Sequence, residues 1–138
     1  MMVSTKGRYA LRVMIELAQR DGDDYVPLKE LAQRQGISDK YLEAIVKLLV
    51  KGGLVAGARG KGGGYRLARE PRDYTVREIL QLTEGSLAPV ACLESGSPPC
   101  SRAESCPTLP MWQGLAARIN AYLEGITLEM LANPDRKK

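Results

Sequence analysis

The sequence predicts a mainly α-helical chain carrying one small β-hairpin, and three observations predict it. Apolar residues recur at i, i+3, i+4 spacing through several long segments, the signature of helices with one buried face. A GKGGG run at 60–64 separates two short β-prone segments, 54–59 and 65–68, and is too rich in glycine for a helix. Helix start and stop residues fall between the periodic segments rather than within them. A chain of 138 residues is one domain, or one domain with a dimerising appendage, and is long enough to build a core without disulfide staples.

The elements follow in order. Ser4 and Thr5 can cap a first helix reaching about Arg20, with Ala10, Val13, Met14, Leu17 and Ala18 as its buried stripe. The acidic run at 21–24 ends it. Pro27 suits the first turn of a second helix, where its missing N–H costs nothing; Leu28, Leu31 and Ala32 form that helix's apolar face, and Gly36 closes it. Ser38 caps a third helix, with Ile37 and Leu42 spaced as a hydrophobic staple. Gly52 and Gly53 stop that helix and the hairpin follows. Thr75 and Glu78 read as a capping box opening a fourth helix that ends at Gly85. Residues 86–107 hold Gly, Ser, Pro and all three cysteines, a long unstructured stretch of the kind that carries function or disorder. A long helix then runs from about Thr108 to Gly125. Its main stripe is Trp112, Leu115, Ala116, Ile119, Leu123 and Ile126; Met111 and Tyr122 widen it beyond what one small domain buries. A second copy of the same helix is the simplest cover. A capped turn at 127–132 ends the fold, and the last residues, PDRKK, are expected to fray. The expected divisions are 1–85, a winged helix-turn-helix unit; 86–107, a cysteine-bearing loop; and 108–138, a dimerisation helix with its C-terminal turn.

Charge narrows the function. Residues 1–85 carry 15 Lys/Arg against 11 Asp/Glu, whereas 86–138 carry 5 against 5. Within 25–72 the count is 10 against 4, so the basic excess sits on the second helix, third helix and hairpin. No stretch approaches the roughly 18 consecutive apolar residues of a membrane span, and the N-terminus lacks an apolar signal core. The expected place is the cytoplasm, where thiols stay reduced. Three cysteines, an odd number, argue against a disulfide framework. With no histidine, no P-loop spacing and no dinucleotide fingerprint, an enzyme is not expected.

The third helix has two faces. Leu42, Ile45, Val46 and Leu49 point one way; Lys40, Ala44, Lys47 and Lys51 fall on another. Apolar inward and basic outward, held beside a supporting helix, such an element is suited to the major groove of double-stranded DNA. Ser38 and Lys40 can then reach a base or phosphate, Tyr41 offers a rigid hydroxyl, and Ala44 permits close approach. Glu43 either accepts from a cytosine amino group or pairs with Lys47 one turn on. On the hairpin, Arg59 and Lys61 flank Gly60, so a thin cationic tip can enter a narrow minor groove.

The KGRYA opening, the ISDKYLE helix start, the RGKGGGYRLA hairpin and the cysteine segment before a long helix together resemble the winged-helix regulators that include IscR, NsrR and CymR. The likeness covers nearly the whole chain. It implies a homodimeric transcription regulator or repressor, with one recognition helix and one wing on each half of a near-palindromic operator. For IscR-like members it also implies an iron–sulfur cluster held by three cysteines, which match Cys92, Cys100 and Cys106 here. The C-x7-C-x5-C spacing has a slightly longer first gap than is usual. The fourth-ligand His of IscR-like chains is replaced by Leu109, and the first-helix carboxylate of NsrR-like chains by Arg8. Glu94, Glu104, a hydroxyl, solvent or the second subunit are the remaining candidates. Zinc, which favours closed Cys/His sets, fits less well without histidine. A thiol-redox or cysteine-metabolism repressor of the same fold without a cluster, and small inert cysteines, are the other readings.

Overall fold

A computed structural model describes residues 3–20, 22–94, 96, 98 and 101–134. The first helix, α1 (Thr5–Ala18), starts where the Ser4 hydroxyl accepts from the Gly7 N–H at 3.1 Å. Its inner face buries Ala10, Val13, Met14 and Leu17. The second helix, α2 (Leu28–Gln35), is preceded by Pro27 as its cap residue, one position earlier than the first-turn placement its ring chemistry suggests. Gly36 ends α2 at φ 68°, a left-handed conformation that disfavours a Cβ. The chain turns there into α3 (Asp39–Lys51), capped by the Ser38 hydroxyl accepting from the Tyr41 N–H at 3.1 Å. The expected inward stripe holds: Leu42, Ile45, Val46 and Leu49 are all completely buried.

Strands β1 (Val55–Ala58) and β2 (Gly64–Leu67) pair antiparallel, Val55 opposite Leu67 and Gly57 opposite Tyr65. Val26, in the segment entering α2, adds a bridge to this hairpin. Its N–H donates to the Tyr65 carbonyl at 2.8 Å and its carbonyl accepts from the Tyr65 N–H at 2.9 Å. Gly64 sits at φ 141°, and a Cβ there would collide with the Val26 backbone. The wing is thus anchored to the helix-turn-helix by main-chain bonds that need glycine next to them.

Beyond a 3-10 turn at Pro71–Asp73, α4 (Val76–Glu84) begins with the Thr75 hydroxyl accepting from the Glu78 N–H at 3.0 Å. The expected box is only half formed. The Glu78 carboxylate accepts instead from the Arg69 guanidinium at 2.6 Å, a charge-assisted bond that outcompetes a neutral backbone donor. Ala91–Leu93 forms a short 3-10 turn inside the stretch expected to lack structure. Then come α5 (Leu109–Glu124) and α6 (Leu128–Ala132), the latter capped by Thr127. The last residues, 135–138, lie outside the described residues.

Tyr74 ties these parts together from the centre. Fully buried, it donates its hydroxyl to the Leu54 carbonyl at 2.6 Å and accepts from the Ala68 and Arg69 N–H groups at 3.0 and 2.9 Å. Burial raises its pKa, and the two N–H donors partly oppose that rise. The end of α3, the hairpin and the entry to α4 therefore share one side chain. Leu128 of α6 is buried in the same core, and the Leu128 N–H donates to the Tyr74 carbonyl at 3.0 Å. A smaller cluster joins Val76, Leu80 and Leu87 to Val3, Leu123 and Ile126.

The long helix departs from its expected burial. None of its residues is buried within the chain, and Met111, Leu115 and Tyr122 stand 56, 41 and 70% exposed. Of the anticipated stripe, Leu123 and the following Ile126 reach a core cluster.

Candidate nucleic-acid interface

The outer face of α3 presents Lys40, Glu43, Ala44 and Lys47 to solvent, with Ser38 exposed at its start. Burial of the opposite stripe orients this face, because a helix with four completely buried residues cannot rotate about its axis. Among the described residues neither Lys40 nor Lys47 is held in an ion pair, and Glu43 does not pair with Lys47. The carboxylates and guanidiniums that do pair lie elsewhere: Glu16 with Arg20 and Arg34, Glu30 with Arg20, Glu78 with Arg69, Glu124 with Arg77. These lysines are thus available to a polyanion without first breaking an internal bridge.

Two of the candidate residues have a structural task as well. Ser38 accepts from the Tyr41 N–H, so its hydroxyl can still donate but one lone pair is occupied. Tyr41 is half-buried, and its ring meets Tyr9 of α1 edge-on, with centroids 6.0 Å apart and planes at 87°. The ring is thus packed against a partner 32 residues away that helix periodicity does not indicate.

At the wing tip Arg59, Gly60 and Lys61 are all exposed. The turn closes with the Gly63 N–H donating to the Gly60 carbonyl at 3.0 Å, and Gly60 takes φ 84°, where a side chain would be strained. The base of the wing is braced by Arg66, which donates to the Asp23 carbonyl at 2.6 Å and stacks 4.4 Å above the Tyr25 ring. A rigid base with a bare cationic tip is suited to insertion beside a helix already in the adjacent groove.

The cysteines fall in two places. Cys92 is exposed in the Ala91–Leu93 turn, and Cys106 is half-buried two residues before the cap of α5. The Cys106 sulfur lies 3.4 Å from the Thr108 hydroxyl; that bond, and then the Thr108 N–H, lowers its thiol pKa. Cys100 lies outside the described residues, so its place relative to the other two is not part of this geometry. Among the described residues no group of three or more His, Cys, Asp or Glu side chains is arranged for a metal ion. No helix among them is long and apolar enough to cross a membrane.

The chain is similar to known proteins in sequence and fold. Residues 3–134 match the model of the Rrf2 family, described as an iron-dependent transcriptional regulator. The HTH-type transcriptional regulator IscR of Aliivibrio salmonicida is 38% identical over 128 residues, covering 93% of this chain and 75% of the relative. IscR of Yersinia enterocolitica is 38% identical over 133 residues, 96% of this chain and 80% of the relative. Among solved structures, CymR, the global cysteine regulator of Bacillus subtilis, superposes with a TM-score of 0.78 at 38% identity, covering 96% of this chain and 97% of that one. The IscR of T. potens gives 0.73 at 39% identity, covering 100% and 91%.

Proposed function

Starting from a chain that belongs to the Rrf2 family of transcriptional regulators, we propose that it works as a homodimer on a near-palindromic operator. Each subunit lays α3 in a major groove through Ser38, Lys40, Tyr41, Glu43, Ala44 and Lys47, and sets Arg59, Gly60 and Lys61 of the wing in the neighbouring minor groove. The observation that carries this reading is the unpaired, outward lysine face of α3, fixed by a completely buried inner stripe. Lys47 supplies charge to the backbone; Lys40, Glu43 and Arg59 supply sequence preference. The exposed Met111, Leu115 and Tyr122 on α5 support a second copy as the cover of that helix. In this reading 1–85 docks DNA, 86–107 senses, and 108–138 pairs the subunits.

The three thiols are the proposed input. Cys92, Cys100 and Cys106 form a soft donor set suited to an iron–sulfur cluster, which when bound supplies a redox-active centre. Leu109, an apolar residue, stands where a nitrogen ligand would otherwise complete the set, so the fourth position falls to Glu94, Glu104, a hydroxyl, solvent or the other subunit. A second reading is a thiol switch without a cluster, in which the Cys106 thiol, its pKa lowered by the bond to Thr108, is the nucleophile; the same lowering would serve a cluster ligand. Occupancy or oxidation of the loop would shift the spacing of the two recognition helices, a coupling of typically about 1–3 kcal/mol.

Two experiments test the proposal. In fluorescence anisotropy with a duplex selected from a random pool, Lys47→Ala weakens binding to all sequences, while Lys40→Ala and Arg59→Ala also blur discrimination. Unchanged affinity in all three variants would remove the docking assignment. Anaerobic purification with iron and sulfide analysis tests the cluster: a colourless, iron-free protein after reconstitution removes it.

A further inference from the structure

The helix that leads into α3 has little of its own to hold it. α2 is eight residues long, has no side-chain bond at its N-terminal cap, and buries two residues, Leu31 and Ala32. A helix this short is marginal without tertiary support. Yet α2 runs through Gly36 and Ile37 straight to the Ser38 cap, so its angle against α1 decides where the outer face of α3 points.

Four charges in alternation join α2 to the end of α1. Glu16, in the last turn of α1, accepts from the Arg34 guanidinium at 3.1 Å and the Gln35 amide at 3.4 Å, both at the end of α2. One turn on, Arg20 pairs with Glu30 in the first turn of α2 and with Glu16 itself at 3.4 Å. In the order Glu30, Arg20, Glu16, Arg34 every charge stands beside its opposite, and α2 is tied near both ends. The Glu16 side chain is 12% exposed, so its bonds are the least screened; Arg34, 60% exposed, adds little to stability alone. Glu16 is also placed against its own helix. A carboxylate in the last turn opposes the helix dipole, and α1 has no basic residue there. A local choice that works against α1 is explained by what it does for α2.

We propose that this charge ladder, centred on Glu16, is a positioning device for DNA recognition. The inference rests on the DNA-docking reading above and adds to it residues that do not themselves touch the duplex. With both ends tied, α2 cannot pivot about Leu31 and Ala32, and the Gly36 turn passes that fixed angle to α3. Glu16, Arg20, Glu30 and Arg34 thereby set the tilt at which Lys40 and Lys47 meet the groove.

The test uses the full chain and a duplex selected by the unsubstituted protein from a random pool. Affinity is measured at a temperature where circular dichroism shows each variant folded. Glu16→Ala with Glu30→Ala removes both carboxylates and leaves every cation in place. Added positive charge by itself tightens binding to a polyanion; a loosened α2 weakens it. The ladder predicts weakening of about tenfold, against the electrostatic trend. A second variant reverses all four charges, Glu16→Arg, Arg20→Glu, Glu30→Arg and Arg34→Glu, with no change in net charge. It should bind within about threefold of the parent, the deficit coming from charges now set against the dipole of α2. If the alanine pair is folded and binds as tightly as the parent or more so, the ladder serves stability alone; the inference is then wrong while the docking reading stands. If the reversed chain is folded and binds no better than the alanine pair, an arginine of the set meets DNA itself, which also contradicts the ladder. If the parent binds no duplex, both readings fall. Should either multiple variant fail to fold, Glu16→Gln decides, since it removes the central charge and keeps an acceptor: weaker binding supports the ladder, and parental affinity contradicts it.

Discussion

Helices α3 and α5 are similar in length and apolar content, yet the fold treats them differently. In α3 four residues of the inner stripe are completely buried, and the exposed remainder is polar apart from Ala44 and Val50. In α5 no residue is buried within the chain, and Met111, Leu115 and Tyr122 remain in solvent. Both helices repeat apolar residues at helical spacing. The difference is that the stripe of α3 meets α1, α2 and β1 of its own chain, whereas α5 reaches its own core only near Leu123 and Ile126. Periodicity tells that a helix has a face to cover; it does not tell whose surface covers it.

That contrast can be broken or sharpened by substitution. The largest effect is expected at Ile45→Ala, which removes a completely buried side chain from the α3 stripe and should destabilise the chain by about 2–5 kcal/mol in urea denaturation. Next is Tyr74→Phe. It removes the hydroxyl donor from the buried Leu54 carbonyl, which keeps the Ala68 N–H at 3.3 Å, and takes away the hydroxyl acceptor of the Arg69 N–H, a cost of about 1–3 kcal/mol. The same residue sets a pH limit. Its folded pKa is raised above 10.0 by burial, so its contribution is complete below that value and is lost as pH rises through the folded pKa. Thermal melts from pH 8 to 12 should show this alkaline decline in the parent and a weaker one in the Phe variant.

Ser38→Ala comes third, since it removes the cap of α3 without touching the core, and should cost about 1 kcal/mol. The smallest effect on chain stability is expected from Leu115→Ala with Tyr122→Ala, within about 0.5 kcal/mol once self-association is diluted out. The same pair should shift sedimentation velocity towards monomer at concentrations where the parent is dimeric. A stability loss comparable to Ile45→Ala at low concentration would mean that α5 is covered by its own chain.

Much of the fold was legible because its determinants are local. Gly36, Ser38 and the α3 stripe lie within a few residues of what they control, and the glycine-rich tip announces the hairpin. Tyr74 was not legible as the hub, because its three hydrogen-bond partners come from two separate segments and a tyrosine in a short turn carries no periodic signal. The Val26–Tyr65 bridge and the Tyr9–Tyr41 contact were hidden for the same reason. A weak signal existed for the second: aromatic residues at matching places near the starts of α1 and α3. Spacing makes Glu78 a cap partner, but Arg69 offers it a charged donor that spacing does not reveal. For the cysteine-bearing segment, spacing locates three thiols but not their arrangement.

The central claim is that the lysine face of α3, repeated by a twofold axis, enters successive major grooves of one duplex. Hydroxyl-radical footprinting on a selected operator tests it directly. The account predicts two equivalent protected patches separated by about one helical turn, 10–10.5 base pairs, or a multiple of it, and their loss on Lys40→Ala with Lys47→Ala. A single unpaired patch, or the same footprint from the double variant, would contradict it.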